Sequence, residues 1–76
     1  MKYESINDQG VALLNKNQFN EALIFFEKAI ELKPDFVDAL NNLGLAQHKL
    51  AKLDQAVRTY KKVVAIDTDY ALASDN

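Results

Sequence analysis

The sequence predicts an all-α fold of antiparallel helical hairpins stacked as a short solenoid, four helices with a short C-terminal fifth. Three observations predict it. The chain echoes itself at a constant offset: Gly10 returns as Gly44 and Ala22 as Ala56, and Asn7, Ala12, Phe26, Lys28, Asp35 and Phe36 return as Asn41, Ala46, Tyr60, Lys62, Asp69 and Tyr70. A period of about 34 residues marks a helical-hairpin repeat. Within each copy the apolar residues recur at helical spacing. The composition, 49% apolar and 26% charged with two glycines and one proline in 76 residues, is that of a folded helical domain and not of a disordered chain.

The elements follow in order. From Tyr3 to Lys16, Ile6, Val11, Leu13 and Leu14 form the apolar side of a first helix, which Asn17 and Gln18 interrupt. A second helix carries Ala22, Leu23, Phe25, Phe26, Ala29, Ile30 and Leu32. Asn20 is its expected N-cap, and Glu21 sits favourably in the first turn. It ends at Lys33-Pro34, because proline disfavours helix in the residue before it. Asp35 is expected to cap a third helix bearing Val37, Leu40, Leu43, Leu45 and Ala46 to about Leu50, with Asp38 as a capping-box-like acid. Ala51-Lys52-Leu53 turns the chain, and Asp54 is expected to cap a fourth helix through Ala56, Val57, Tyr60, Val63, Val64 and Ile66. Thr68-Asp69 then starts the short fifth. Loops of three or four residues make successive helices antiparallel. A mid-helix glycine costs about 0.5–1 kcal/mol, so Gly10 and Gly44 are read as close-approach sites facing Ala22 and Ala56.

Composition also narrows the function classes. A chain of 76 residues and 8.6 kDa holds one small core near the lower limit of independent stability, without a deep pocket. With no cysteine, disulfides, cysteine-based zinc sites and thiol chemistry are excluded. No apolar run long enough to span a membrane and no basic-then-apolar leader occurs, so a soluble, cytoplasmic location is expected. Residues 3–36 carry a net charge of −3 and residues 37–70 a net of +1. The absence of a basic surplus argues against nucleic acid as a partner. With no nucleophile–base pair and no glycine-rich phosphate loop, no catalytic residue is assigned and no cofactor is expected.

In these residues the chain resembles the tetratricopeptide repeat family. The first copy matches through Ile6, Gly10, Ala22, Phe26, Ala29 and Pro34, the second through Leu40, Leu43, Gly44, Ala56 and Tyr60. The resemblance implies repeat 1 at residues 3–36, repeat 2 at 37–70, and at 71–76 the start of a third repeat or a capping helix, together one domain in a right-handed solenoid. The sequence departs from the pattern where Gln9 stands opposite Leu43, where Leu13 and Gln47 replace an aromatic, where Val63 replaces the second alanine, and where Thr68 replaces the proline. A polar Gln9 suits an uncovered first helix, whereas Thr68 leaves the junction to the fifth helix less fixed.

The resemblance also implies a scaffold whose first helices line a concave groove for an extended peptide or a partner helix. By register that groove takes Glu4, Asn7, Asp8, Val11, Leu14 and Asn15, then Asp38, Asn41, Asn42, Leu45, His48 and Lys49, and finally Leu72, Asp75 and Asn76. Spacings of three and four put each set on one helix face. Asp8, Asn42 and Asn76 form a column two residues before the small position, and an asparagine amide can bond a peptide main chain with both donor and acceptor. Some members of the family that the chain resembles instead clamp a partner's C-terminal carboxylates in a basic groove, with a lysine at Asn7, asparagines at Val11 and Asn42, and basic residues at Leu72 and Asn76; here only Asn42 fits. Glu4, Asp8, Asp38 and Asp75 against Lys49 favour a neutral or basic ligand.

The remaining candidates have plainer readings. His48, the one histidine, lacks companions for a metal site and reads as a solvated groove residue. Arg58, Lys61 and Lys62 read as a solvated helix face. The competing function is self-association. Each hairpin hides its apolar face on the next, so the end of the array is expected to expose Tyr60, Val63 and Val64. A second copy would cover them by head-to-tail stacking or helix exchange, giving a homo-oligomer.

Overall fold

The computed structural model describes the backbone of residues 2–75 and the side chains of residues 2–66. Four helices occur in this span: α1 (Lys2–Asn15), α2 (Phe19–Leu32), α3 (Val37–Lys49) and α4 (Leu53–Asp75). α1 packs on α2, α2 on α3 and α3 on α4, while α1 and α3 touch more lightly. Because the short loops reverse the chain each time, α1 and α3 run in the same direction.

The two hairpin turns are the same structure, one repeat apart. Asn17 and Ala51 occupy register-equivalent positions and both adopt left-handed backbone, φ 64° and 62°. Asn17 N–H donates to the Leu14 carbonyl and Gln18 N–H to the Leu13 carbonyl; Ala51 and Lys52 repeat this with His48 and Gln47, all at 2.8–3.0 Å. These are Schellman closures, which satisfy carbonyls at the helix end. Asparagine tolerates the left-handed conformation, whereas alanine accepts it at roughly 1–2 kcal/mol.

These closures also correct the expected caps. The chain is ready to restart one residue after each closure, so α2 begins at Phe19 with Gln18 as N-cap, and Asn20 lies already inside the helix. Likewise α4 begins at Leu53, leaving Asp54 in the first turn rather than at the cap. α3 has Phe36 in place of Asp35 at its N-cap, and neither Gln18 nor Phe36 makes a side-chain capping bond. The Lys33–Phe36 turn is closed by the Phe36 N–H on the Lys33 carbonyl at 3.0 Å. Its outer surface is held by Tyr3, whose ring meets Phe36 edge-on at 5.1 Å and lies 5.2 Å from the Lys33 ammonium.

At the other end, α4 runs through Thr68 to Asp75 without interruption, so among the described residues the short fifth helix is not seen as a separate element. In the first copy Pro34 ends the helix; Thr68 at the equivalent position keeps its N–H and imposes no such stop.

The core lies among α1, α2 and α3. Ala22, Leu23, Phe26, Leu43 and Ala46 form its buried cluster, surrounded by Val11, Leu13, Leu14, Ile30 and Leu50. The glycines do allow close approach, and the atoms nearest to them are ring carbons: a Cβ on Gly10 would sit 2.5 Å from Phe26 Cε1, and one on Gly44 2.7 Å from Tyr60 Cε1. The two rings differ in freedom, Phe26 being fully buried and Tyr60 37% exposed. Gly10→Ala is therefore expected to destabilise by about 1–2 kcal/mol, overpacking exceeding the gain in helix propensity. Gly44→Ala, where the ring can swing outward, should change stability by less than about 1 kcal/mol. Urea midpoints of the two variants decide this, and a larger loss at Gly44 would refute it.

Candidate functional site

The predicted groove residues fall on two matched strips. On α1, Glu4, Asp8, Val11 and Asn15 are spaced by four, three and four, and a shift of one repeat turns them into Asp38, Asn42, Leu45 and Lys49 on α3. Parallel helices present equivalent positions on the same side, so the strips lie alongside each other. Asp8, Asn15, Asp38, Asn41, Leu45, His48 and Lys49 are exposed or nearly so, while Val11, Leu14 and Asn42 are half-buried.

Asn7 departs from its expected place. It is buried, and its Oδ1 accepts a hydrogen bond from Asn42 Nδ2 at 3.1 Å. Its register partner Asn41 is exposed. The expected pair of equivalent groove asparagines thus divides into one that joins the repeats and one that faces solvent. The bond directs the Asn42 amide: one N–H goes to α1, while Oδ1 retains its capacity to accept. Asn76 lies outside the described residues, and Leu72 and Asp75 lie beyond the last described side chain.

A second polar pair is absent from the sequence reading. Thr59 Oγ1 lies 2.7 Å from Gln47 Oε1, and both residues are buried. In the first copy these positions are Phe25 and Leu13. Two apolar residues become polar together at positions that face each other across a hairpin, which is the signal that would reveal the pair. Apart from the strips, an open depression between α1 and α2 is lined by Ile6, Lys28, Glu31 and Leu32.

On α4, Tyr60 and Val64 are exposed as expected, but Val63 is buried. Its position is about 120° around the helix from Val57 and turns toward α3. The exposed apolar side instead continues through Val57 and Leu53. Arg58, Lys61 and Lys62 are exposed on the same helix. Among the described residues, no group of three or more His, Asp or Glu is placed to hold a metal ion, and no helix is long and apolar enough to cross a membrane.

Paired antiparallel helices, joined by identical closures and repeated in register along the chain, define a helical-repeat scaffold. The chain belongs to the tetratricopeptide repeat family. A TPR repeat model matches residues 10–50 and a tetratricopeptide repeat model matches residues 37–70. An uncharacterized protein of Methanocaldococcus jannaschii is 35% identical over 66 residues, covering 87% of this chain and 77% of that protein. A chloroplastic tetratricopeptide repeat domain-containing protein of Arabidopsis thaliana is 31% identical over 67 residues, 88% of this chain and 22% of that protein. The Hsp70-Hsp90 organizing protein of Triticum aestivum is 33% identical over 61 residues, 80% of this chain and 10% of that protein. The chain thus spans a quarter or less of these two longer relatives. Family membership supports a role in protein interaction for these repeats.

Proposed function

We propose that the exposed strips of α1 and α3 form a concave groove that binds an extended peptide or a partner helix of neutral or basic character. The observation that carries this reading is the tethered Asn42 amide. One of its two N–H groups is taken by Asn7, which leaves the second N–H and the oxygen to meet the carbonyl and N–H of a peptide main chain. Asp8 flanks it on α1, Val11 and Leu45 supply apolar contact, and Asn15, Asn41, His48 and Lys49 complete the polar rim. Glu4, Asp8 and Asp38 outweigh Lys49 in charge, which favours a basic over an acidic ligand.

Calorimetric titration with two peptides of equal length, one basic and one ending in an acidic tail, tests the reading. The basic peptide is expected to bind more tightly, and Asn42→Ala to weaken it by about tenfold, the loss of one oriented hydrogen bond. Tighter binding of the acidic tail would overturn the ligand assignment.

A second reading, self-association, is favoured by a different observation. Leu53, Val57, Tyr60 and Val64 expose a contiguous apolar row along α4, the kind of surface that marks an interaction site when it is large enough.

A further inference from the structure

The row on α4 has a counterpart inside the molecule. Shifted back by one repeat, Leu53, Val57, Tyr60 and Val64 become Phe19, Leu23, Phe26 and Ile30 of α2. α3 packs antiparallel across that helix, leaving Leu23 7% and Phe26 0% exposed, with Phe19 and Ile30 half-buried. On α4, Leu53, Val57 and Val64 are 55%, 51% and 62% exposed. The second copy of the repeat therefore carries a helix-docking face in the same place as the first, with no helix on it among the described residues.

We propose that a second copy of this chain fills it, through a two-fold pairing of α4 antiparallel to α4. The inference rests on the self-association reading and gives it a geometry. Three observations choose this arrangement.

The first is the spacing. The row advances by four, three and four residues, the pattern of a coiled-coil seam. Run antiparallel about a point between Arg58 and Thr59, it matches itself: Leu53 meets Val64 of the second copy and Val57 meets Tyr60, each pairing occurring twice.

The second is charge. Asp54 and Lys61 flank the row on its solvent side, and both are exposed. An antiparallel two-fold keeps both flanks on one side, so Asp54 of each chain faces Lys61 of the other. A parallel two-fold would set them instead against Ala56 and Val63, which are buried in their own chain.

The third is the polarity of α1. Head-to-tail stacking would bring α1 of one copy onto α4 of the next, as α3 lies on α2. The α3 residues Ala39, Leu43 and Leu50 correspond to Ser5, Gln9 and Lys16 on α1, and these three are exposed. Seating them on the row would bury polar groups without partners. The open face of α1 is built for water, and that of α4 for its own image.

The test uses the chain's lack of cysteine, which makes introduced thiols unambiguous. Wild type should sediment as a dimer at submillimolar concentration. Under mild oxidation, Leu53→Cys mixed with Val64→Cys should give a mixed disulfide. Val64→Cys alone should not cross-link, because its two copies lie about 16 Å apart along the helix axis. Asp54→Lys should raise the dissociation constant about threefold to tenfold at low salt, and Asp54→Lys with Lys61→Asp should restore it. Circular dichroism checks that both variants remain helical. A folded monomer throughout ends the self-association reading and the pairing with it. A dimer that cross-links through Val64→Cys alone, or through Val57→Cys with Gln9→Cys, overturns the antiparallel pairing and leaves self-association standing.

Discussion

Phe26→Ala is expected to remove about 3–5 kcal/mol of stability, most of what a domain of this size possesses. The ring is fully buried within the cluster of Ala22, Leu23, Leu43 and Ala46, so it joins α2 to both of its neighbours. On the α1 side it rests on Gly10, and a glycine has no side chain with which to refill the space. The cavity would therefore persist, and its residual volume is what makes such truncations costly. Tyr60→Ala removes the register-equivalent ring, but one that is 37% exposed on an uncovered face, and should cost about half as much. Urea unfolding followed by circular dichroism, at one protein concentration because association adds to apparent stability, measures both. Equal losses would show that the two rings are equally integral, contrary to their burial. Where Phe26→Ala no longer folds at ambient temperature, Phe26→Leu supplies a measurable intermediate.

The same comparison shows what the sequence could and could not reveal. The paired glycines, alanines and aromatics are legible because a packed interface demands small and large residues at fixed offsets, and the shift by one repeat displays those demands twice. Loop closure is legible only in part. Asn17 signals left-handed backbone, but Ala51, in the same conformation, carries no such mark; only its register with Asn17 points to it. The caps fall elsewhere than expected because Asn20 and Asp54 have good capping chemistry, while the closures have already returned the chain to helix before reaching them. Asn7 looks like Asn41, yet one is buried and the other exposed. Identical side chains part company there because α1 meets α3, whereas among the described residues no further helix meets α3 on its corresponding side. Val63 illustrates the same limit. Its apolar character does not choose between core and surface, and the exposed row can be placed only once burial of Ala56, Thr59 and Val63 fixes the rotation of α4.

The polar pair between α3 and α4 should show strong non-additivity. Thr59→Val keeps the side chain's shape and removes its hydroxyl, leaving the Gln47 amide oxygen buried without its donor, at a cost of about 1–3 kcal/mol. Gln47→Leu should cost less, about 1 kcal/mol or below, because the Thr59 hydroxyl still reaches the Gln55 carbonyl oxygen at 2.9 Å within its own helix. That hydroxyl has one proton to give, so in the wild type the two acceptors compete for it, and losing one leaves the other fully served. With both changes present, the interface becomes apolar throughout, as Leu13 and Phe25 make it in the first copy. The double variant should then be more stable than Thr59→Val alone and close to the wild type. A double-mutant cycle by urea unfolding measures the coupling. Loss of stability that is additive within about 0.3 kcal/mol would mean that the pair contributes no mutual bond. Coupling would instead mean that the second hairpin fixes its register by a directional bond where the first relies on apolar packing. That difference suits the position: among the described residues α4 has a neighbour on one side only, so a directional bond to α3 would add to the packing of Ala56 and Val63 in setting the rotation that keeps its apolar row outward.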